Sequence, residues 1–494
     1  MSPFPSRPRA WLLILVIFLA LGGLLRLLDL DDPPLDFHST RQLRNSLVAR
    51  DIYYQLLPNA DPQKVELAAS FHRAVGQYEP PIIESLVGWT YTWAGGENPS
   101  IPRLYQTLFW LLSGLALFDL ACRAISPWAA LFGLAYYLIL PFSVQASRSF
   151  QPDPLMTSAF IIGIYFLYRW GEETTAKNWR WGILAGIFLG FAVLVKIVIA
   201  FLAGGAAVAF VLFSLGRRFW KSPQVWAMAG LMILPAFGYY VLGHAGRSSE
   251  YFFSWTVALI KQIASPEFYA RWLGFLGSLL GLTVIFLSLA GVLLAPSRLR
   301  WLLLGAWGGY LLYGLTLPFQ MYTHSYYHLQ LVPLVALGLV PAANALLERI
   351  KAQGRGWQIL FAGLILLLVG YQAWASRSTL LAEDFRHEPA FWSKIGEAIP
   401  ADAKVIALTQ DYGYRLMYYG WRKVELWPLS TELSRVRSGG KQAAAEFADL
   451  TAGKDYFLVT AFGQLDKQPA LKDLLQNYPV AAQGEGFVLY DLKP

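Results

Sequence analysis

The stretch Leu28–Ser46, LDLDDPPLDFHSTRQLRNS, sets Asp29, Asp31, Asp32 and Asp36 ahead of His38, Arg41 and Arg44, directly after an apolar run. Its meaning turns on that run. Residues 11–28 are apolar over a length that can cross about 30 Å of hydrocarbon as a helix. If they do, the acids stand where the helix meets water. They are then either a stop signal at the membrane surface or the start of an active site.

The rest of the chain favours a membrane. Of its 494 residues 56% are hydrophobic and only 15% are charged, too apolar for a water-soluble protein of this length. The 19 Trp and 26 Tyr suit the headgroup belts where amphipathic rings collect. The net charge of +8 comes from short basic clusters between apolar blocks. That is the pattern of cytoplasmic loops, so no nucleic-acid partner is expected. A lone Cys122 excludes an intrachain disulfide framework and a Cys-based metal site.

Apolar blocks fall at 11–28, 104–122, 127–145, 154–170, 181–196, 198–216, 225–243, 272–295, 301–318, 327–347 and 357–375. The expected fold is therefore a polytopic α-helical membrane protein with about eleven spans. The first block exceeds a signal-peptide core and lacks a small-residue cleavage site, so it is expected to be retained as a helix. With Arg7 and Arg9 cytoplasmic, CRAISP (122–127), YRWGEETTAKNWRW (168–181), GRRFWK (216–221), PSRLR (296–300) and LERIKAQGRG (347–356) all face the cytoplasm. Each carries Lys or Arg. The opposite side receives the loop 29–103, SRSFQPDP (147–154), the Lys196 corner, HAGRSSEYFF (244–253) and PFQMYTHSYY (318–327). It also receives the tail 377–494.

Two domains follow: 1–376, a membrane domain including the external loop 29–103, and 377–494, an extracytoplasmic α/β domain. In the loop, STRQLRNSLVARDIYYQL (39–56) opens on a Ser/Thr cap and suggests an interfacial amphipathic helix. In the tail, residues 391–400, 414–421 and 470–478 suggest helices, and 403–409, 454–460 and 486–492 strands.

Chemistry-bearing residues gather on the external side. Asp36 lies between Leu35 and Phe37 after two prolines, where a partly desolvated carboxylate suits a general base. Asp153, in QPDP, is equally an N-cap with Pro154 at the first helical position. Arg148 precedes it. Lys196 interrupts two apolar blocks, which is costly for a cation unless it is paired or lines a wet cavity. His324 and His328 have the i, i+4 spacing of a metal pair, but without a third ligand they suit an aromatic belt with Tyr326 and Tyr327. No metal site is assigned, and a divalent metal stays open as an addition.

An acid in the first external loop, a second before span four, a Lys between spans five and six, and H-x-YY-x-x-x-LVP at 324–333 occur together. In this order the chain resembles the GT-C glycosyltransferases of bacterial inner membranes. It is most similar to the protein O-mannosyltransferase-like group that includes the lipid A aminoarabinose transferase. The resemblance implies a sugar donor on polyprenyl phosphate and a glycan, lipid or protein acceptor. It also implies inverting transfer on the extracytoplasmic side, with the N-terminus cytoplasmic. By the same resemblance Asp36 is the base and Asp153 its support, and Lys196 and His324 lie near the lipid phosphate. Arg41, Arg44 and Arg148 are further cations for that phosphate. His38, Glu79, Tyr326 and Tyr327 line the acceptor or sugar pocket. Where relatives often carry Lys-Pro-Pro, this chain has Glu79-Pro80-Pro81. The competing class is a transporter or flippase of lipid-linked sugars, which would place its charges at the membrane midplane in repeated halves.

Overall fold

Backbone polar groups find no partner in hydrocarbon, so apolar runs such as 104–122 and 357–375 close their hydrogen bonds internally, as helices. The computed structural model describes residues 10–76, 78–172, 179–243, 260–430 and 443–493. Arg7, Arg9, residues 173–178 and the loop 244–253 lie outside the described residues. The chain divides into two units. The first comprises Met1–Leu30, Gln77–Ile83 and Ser100–Ala382, and the second Asp31–Gly76, Glu84–Pro99 and Glu383–Pro494.

In the first unit, among the described residues, five helices are long and apolar enough to cross a membrane. They are Ser100–Ala124, Ile197–Lys221, Pro223–Gly243, Ser325–Lys351 and Arg355–Leu380. Two bent pairs raise the number to seven: Pro127–Ile139 with Pro141–Arg148 at 59°, and Pro266–Leu280 with Leu282–Leu294 at 92°. Pro141 cannot donate to the turn before it, which breaks the first pair. Gly281, at φ 81°, turns the second. Ala10–Arg26 and Trp179–Val195 are shorter apolar helices of 17 residues. Pro152–Glu172 and Ser297–Thr316 complete the blocks expected from hydropathy.

Small residues let two of these helices touch along their backbones. A Cβ built on Gly305 in Ser297–Thr316 would collide with the Gly205 carbonyl of Ala200–Leu215, and one on Gly205 with the Gly305 carbonyl. Close backbone approach of this kind is how membrane helices gain packing energy without a hydrophobic drive.

The second unit is built on a five-stranded sheet: β1 (Val405–Leu408), β2 (Glu425–Leu426), β3 (Tyr456–Val459), β4 (Val480–Gly484) and β5 (Phe487–Asp491). Its order is β2-β1-β3-β5-β4. β1 runs parallel to β2 and β3, whereas β5 is antiparallel to β3 and β4. Successive side chains of a strand point to opposite faces. Val405 and Ala407 accordingly join one core with Trp392, Ile395 and Leu416. Ile406 and Leu408 join another with Trp427, Leu471 and Leu475. The three strands and three helices expected in the tail are present. β2, with two residues, and β4, mostly exposed, carry too little alternation to be foreseen.

The loop helix Ser39–Leu56 belongs to this unit as well. Leu43, Leu47 and Val48 pack with Phe71, Met417 and Tyr418. The helix starts where expected, but not by a hydroxyl cap: its N-cap residue is His38, in a left-handed conformation. Ser39 and Thr40 instead donate to Asp411 Oδ1 at 2.7 and 2.9 Å. Further along, Arg50 bonds Glu97 at 2.8 Å and the Tyr418 carbonyl at 2.6 Å, with its guanidinium 4.0 Å over the Tyr418 ring and 4.4 Å over Trp421. Burial opposes that charge most strongly, but the Glu97 carboxylate with Tyr418 and Tyr54 together outweighs it, so the Arg50 pKa stands above its ordinary value.

The helix contact gives a direct test. Gly305→Leu is expected to cost about 1–3 kcal/mol through overpacking. Gly308→Leu, on the same helix with open space around its added Cβ, should stay within about 0.5 kcal/mol. Thermal unfolding in nanodiscs measures both, and equal shifts would rule out the packing account.

Candidate functional site

In the first unit the structure gathers four of the expected residues around a fifth, Lys196. That residue follows Trp179–Val195 and precedes a 3-10 turn at Ile197–Ile199, in extended backbone at φ −156°. The break turns its side chain into protein, where 4% of the residue remains exposed. Nζ donates to both carboxylate oxygens of Asp153, at 2.8 and 2.9 Å. The same ammonium lies 4.8 Å from the ring centroid of Tyr326 and 4.9 Å from that of Tyr327. His324 meets both rings edge-on, at 5.5 and 5.9 Å, and its Nδ1 lies 2.6 Å from Thr323 Oγ1.

Asp153 is not the N-cap of its helix. Pro152–Glu172 begins one residue earlier, so Asp153 sits inside the first turn with Pro152 as the leading proline. A carboxylate there still meets the positive end of the helix dipole. Its oxygens are nevertheless spent on Lys196. The result is a buried ion pair under two aromatic faces, a setting in which cation–π attraction is strongest because water is excluded.

His328 does not complete a metal pair with His324. Its Nε2 lies 3.0 Å from the Met321 carbonyl, which can only accept, so that nitrogen carries the proton. Its Nδ1 then accepts from the Tyr310 hydroxyl at 2.8 Å, and Tyr310 in turn receives the Trp272 N–H at 2.9 Å. Both ring nitrogens are committed. Among the described residues no three His, Cys, Asp or Glu side chains gather as a metal site.

Arg148 has a different task from the one expected. Fully buried, it donates to the Leu28 carbonyl and, at 3.5 Å, to that of Arg26. Arg103, 1% exposed, donates to the Leu30 and Asp29 carbonyls at 2.8 and 3.3 Å. Arg26 itself is fully buried, and its partners are a hydroxyl and backbone carbonyls. It binds Ser147 Oγ at 2.7 Å and the Gly22 and Leu138 carbonyls, each at 2.8 Å. Sequence reasoning passed over Arg26 and Arg103, although a cation inside the first apolar block is the same signal that marked Lys196. Glu79, half-buried, lies within electrostatic range of Tyr240, whose hydroxyl donates to the Leu194 carbonyl at 3.1 Å, two residues before Lys196.

Asp36, His38, Arg41 and Arg44 belong to the second unit. Asp36 is half-buried and accepts from Gln42 Nε2 at 2.9 Å, and the same amide holds the Phe37 carbonyl at 2.9 Å. His38 stands in left-handed backbone at φ 48°, its ring edge-on to Phe37. Arg41 is half-buried. Arg44 donates to the Gly76 carbonyl at 2.9 Å and to Asn45 at 3.2 Å. The neighbouring acids have structural work: Asp31 pairs with Arg386 at 2.8 Å, and Asp32 accepts the Phe385 amide at 2.9 Å.

Residues 79–240 match the family described as dolichyl-phosphate-mannose-protein mannosyltransferase. A sequence comparison with curated proteins gives no match. Among solved structures the chain is similar to ArnT from Cupriavidus metallidurans bound to undecaprenyl phosphate. The TM-score is 0.61 at 14% identity, with 98% of each chain covered. It is also similar to the oligosaccharyltransferase AglB from Archaeoglobus fulgidus in complex with an inhibitory peptide and a dolichol-phosphate. There the TM-score is 0.54 at 15% identity, over 91% of this chain and 69% of that one. The mycobacterial arabinofuranosyltransferase AftD gives 0.54 at 15% identity, over 98% of this chain and 40% of its own. With its apolar helices and this likeness along nearly its whole length, the chain is a multi-pass membrane protein with the GT-C glycosyltransferase fold.

Proposed function

We propose that the chain is a glycosyltransferase of a bacterial inner membrane. It moves a sugar from a polyprenyl-phosphate donor to a hydroxyl-bearing acceptor on the extracytoplasmic side, with inversion. The observation that carries the reading is the Lys196 ammonium, held by Asp153 beneath Tyr326 and Tyr327. A fixed, buried cation suits a leaving phosphate, because charge developing there meets a donor that needs no reorganisation. ArnT was solved with undecaprenyl phosphate and AglB with a dolichol-phosphate, which supports a lipid phosphate as ligand of this fold.

In the proposed reaction the acceptor oxygen bonds to the anomeric carbon as the bond from that carbon to the phosphate oxygen breaks. The electron pair of that bond leaves with the polyprenyl phosphate. The acceptor proton passes to a carboxylate on the face opposite the departing phosphate, which is the geometry of inversion. Asp36 is the proposed base, oriented by Gln42. Asp153 acts through Lys196 as a positioning residue, since both of its oxygens bind the ammonium. His324 and the two tyrosines shape the surroundings of that charge. Arg148 holds the Arg26 and Leu28 carbonyls, so in this scheme it is a secondary candidate for the phosphate beside Lys196.

Two experiments test the scheme. Asp36→Asn should lower transfer by about 10²–10⁴-fold, the usual contribution of a general base. Mass spectrometry of co-purified lipid should then find a polyprenyl-phosphate sugar accumulating in the variant. Full activity in a folded Asp36→Asn protein removes Asp36 as the base. A lipid-linked sugar bound equally in both, without turnover by the wild type, favours the flippase.

The second experiment separates structure from chemistry at the ion pair. Lys196→Met or Asp153→Leu alone should destabilise by about 3–5 kcal/mol, because each strands a buried charge. The double variant should recover most of that stability, yet remain inactive if the ammonium serves the phosphate. A double variant that regains activity along with stability would leave the pair a structural role only.

A further inference from the structure

The sheet of the second unit reverses its winding at β1. From β1 the chain passes through the helix Tyr414–Gly420 to β2 on one side, and β3 then lies on the other. The helix after β1 contributes Leu416 to one core. The short helices after β3, Phe462–Leu465 and Pro469–Leu475, contribute Leu465, Leu471 and Leu475 to the core on the opposite face. The two parallel strands therefore send their following segments to opposite sides of the sheet. Between the carboxyl ends of such strands a crevice opens, the place where open α/β sheets bind ligands.

The residues at that edge are suited to one kind of ligand. Thr409 and Thr460 follow the paired ends of β1 and β3, with their hydroxyls 2.8 Å apart. Gln410, exposed, reaches back with Oε1 2.6 Å from Thr460 Oγ1 and Nε2 donating to the Thr460 carbonyl at 3.2 Å. Beyond them two rings stand in solvent, Tyr412 at 53% exposure and Phe462 at 39%. The two threonine hydroxyls are buried and bond each other, fixing Gln410, whose exposed amide beside exposed aromatic faces matches a neutral sugar. Its hydroxyls need such partners, and its C–H face stacks on a ring.

The backbone there is held out of its ordinary range. Asp411 and Tyr412 both adopt positive φ, at 49° and 55°, with Gly413 following at 74°. Two consecutive non-glycine residues in that region persist only where the surroundings over-determine them. Here Ser39 and Thr40 grip Asp411 Oδ1, while Arg415 grips Oδ2 at 2.6 Å and Glu388 at 2.9 Å. The acid of the turn is thereby tied down on both oxygens, and the Tyr412 ring beside it is left exposed.

We infer that the carboxyl edge of β1 and β3 is a binding site for a neutral glycan, with Tyr412 and Phe462 as stacking faces and Gln410 as the hydrogen-bonding group. In the transfer reaction this glycan is the acceptor; that clause rests on the proposed function, whereas the binding itself does not.

The test uses the full chain in nanodiscs, without donor lipid, and fluorescent cellotriose, mannotriose and chitotriose as probes. At least one should bind, and both Tyr412→Gly, which keeps the positive φ without strain, and Phe462→Ala should weaken it about tenfold. Glu485→Gln, elsewhere on the sheet, should bind as wild type. Unchanged thermal unfolding confirms that the variants fold. The proposal is overturned if none of the three probes binds at millimolar concentration, or if binding is unaltered in both ring variants. Lost transfer with retained glycan binding would sink the transferase reading alone.

Discussion

An ammonium taken out of water must be matched at once by a carboxylate with both oxygens in reach, and Lys196 with Asp153 meets that demand inside the first unit. Much of the local architecture follows. The helix before Lys196 has to stop, a 3-10 turn has to restart the chain, and Pro152–Glu172 has to present its first turn toward the break. Tyr326 and Tyr327 then close over the charge from a segment more than a hundred residues downstream. An arrangement so demanding of desolvated charge is weak support for stability and better support for chemistry.

A second set of cations solves a different problem. Where the chain leaves Ala10–Arg26, the carbonyls of Leu28, Asp29 and Leu30 are half-buried and outside any helix ladder, so they need donors from elsewhere. Arg148 and Arg103 supply the missing donors from two other helices, while Arg26 crosses to the Leu138 carbonyl and to Ser147. Guanidinium suits this work because its donors fan out in a plane and its charge faces the negative end of the helix dipole.

How much of this could be read beforehand differs residue by residue. Lys196 was legible because a lone cation between apolar blocks has few innocent explanations, and the tail's strands β1 and β3 were legible as short, continuous apolar runs. Arg148 was read for its neighbours in sequence and not for the carbonyls it holds. Its neighbourhood in sequence, next to Asp153, suggests a shared site, but an arginine's choice between a phosphate and a carbonyl depends on where another helix ends. The roles of Asp31, Asp32 and Asp411 were hidden for the same reason, since each is satisfied by a partner hundreds of positions away. Gly205 and Gly305 leave no signature beyond being small.

That long reach has a consequence for how the protein is made. Ser39 and Thr40 wait for Asp411, which is 372 and 371 residues further along the chain. Leu43, Leu47 and Val48 likewise wait for Met417 and Tyr418. During synthesis the first loop emerges early, with its hydroxyls and the part of its apolar face that meets Met417 and Tyr418 still unmatched, until the tail has been made. Completion of the second unit is therefore a late event that reports on the whole preceding chain. A copy truncated anywhere before residue 411 exposes an unpartnered surface that quality control can recognise.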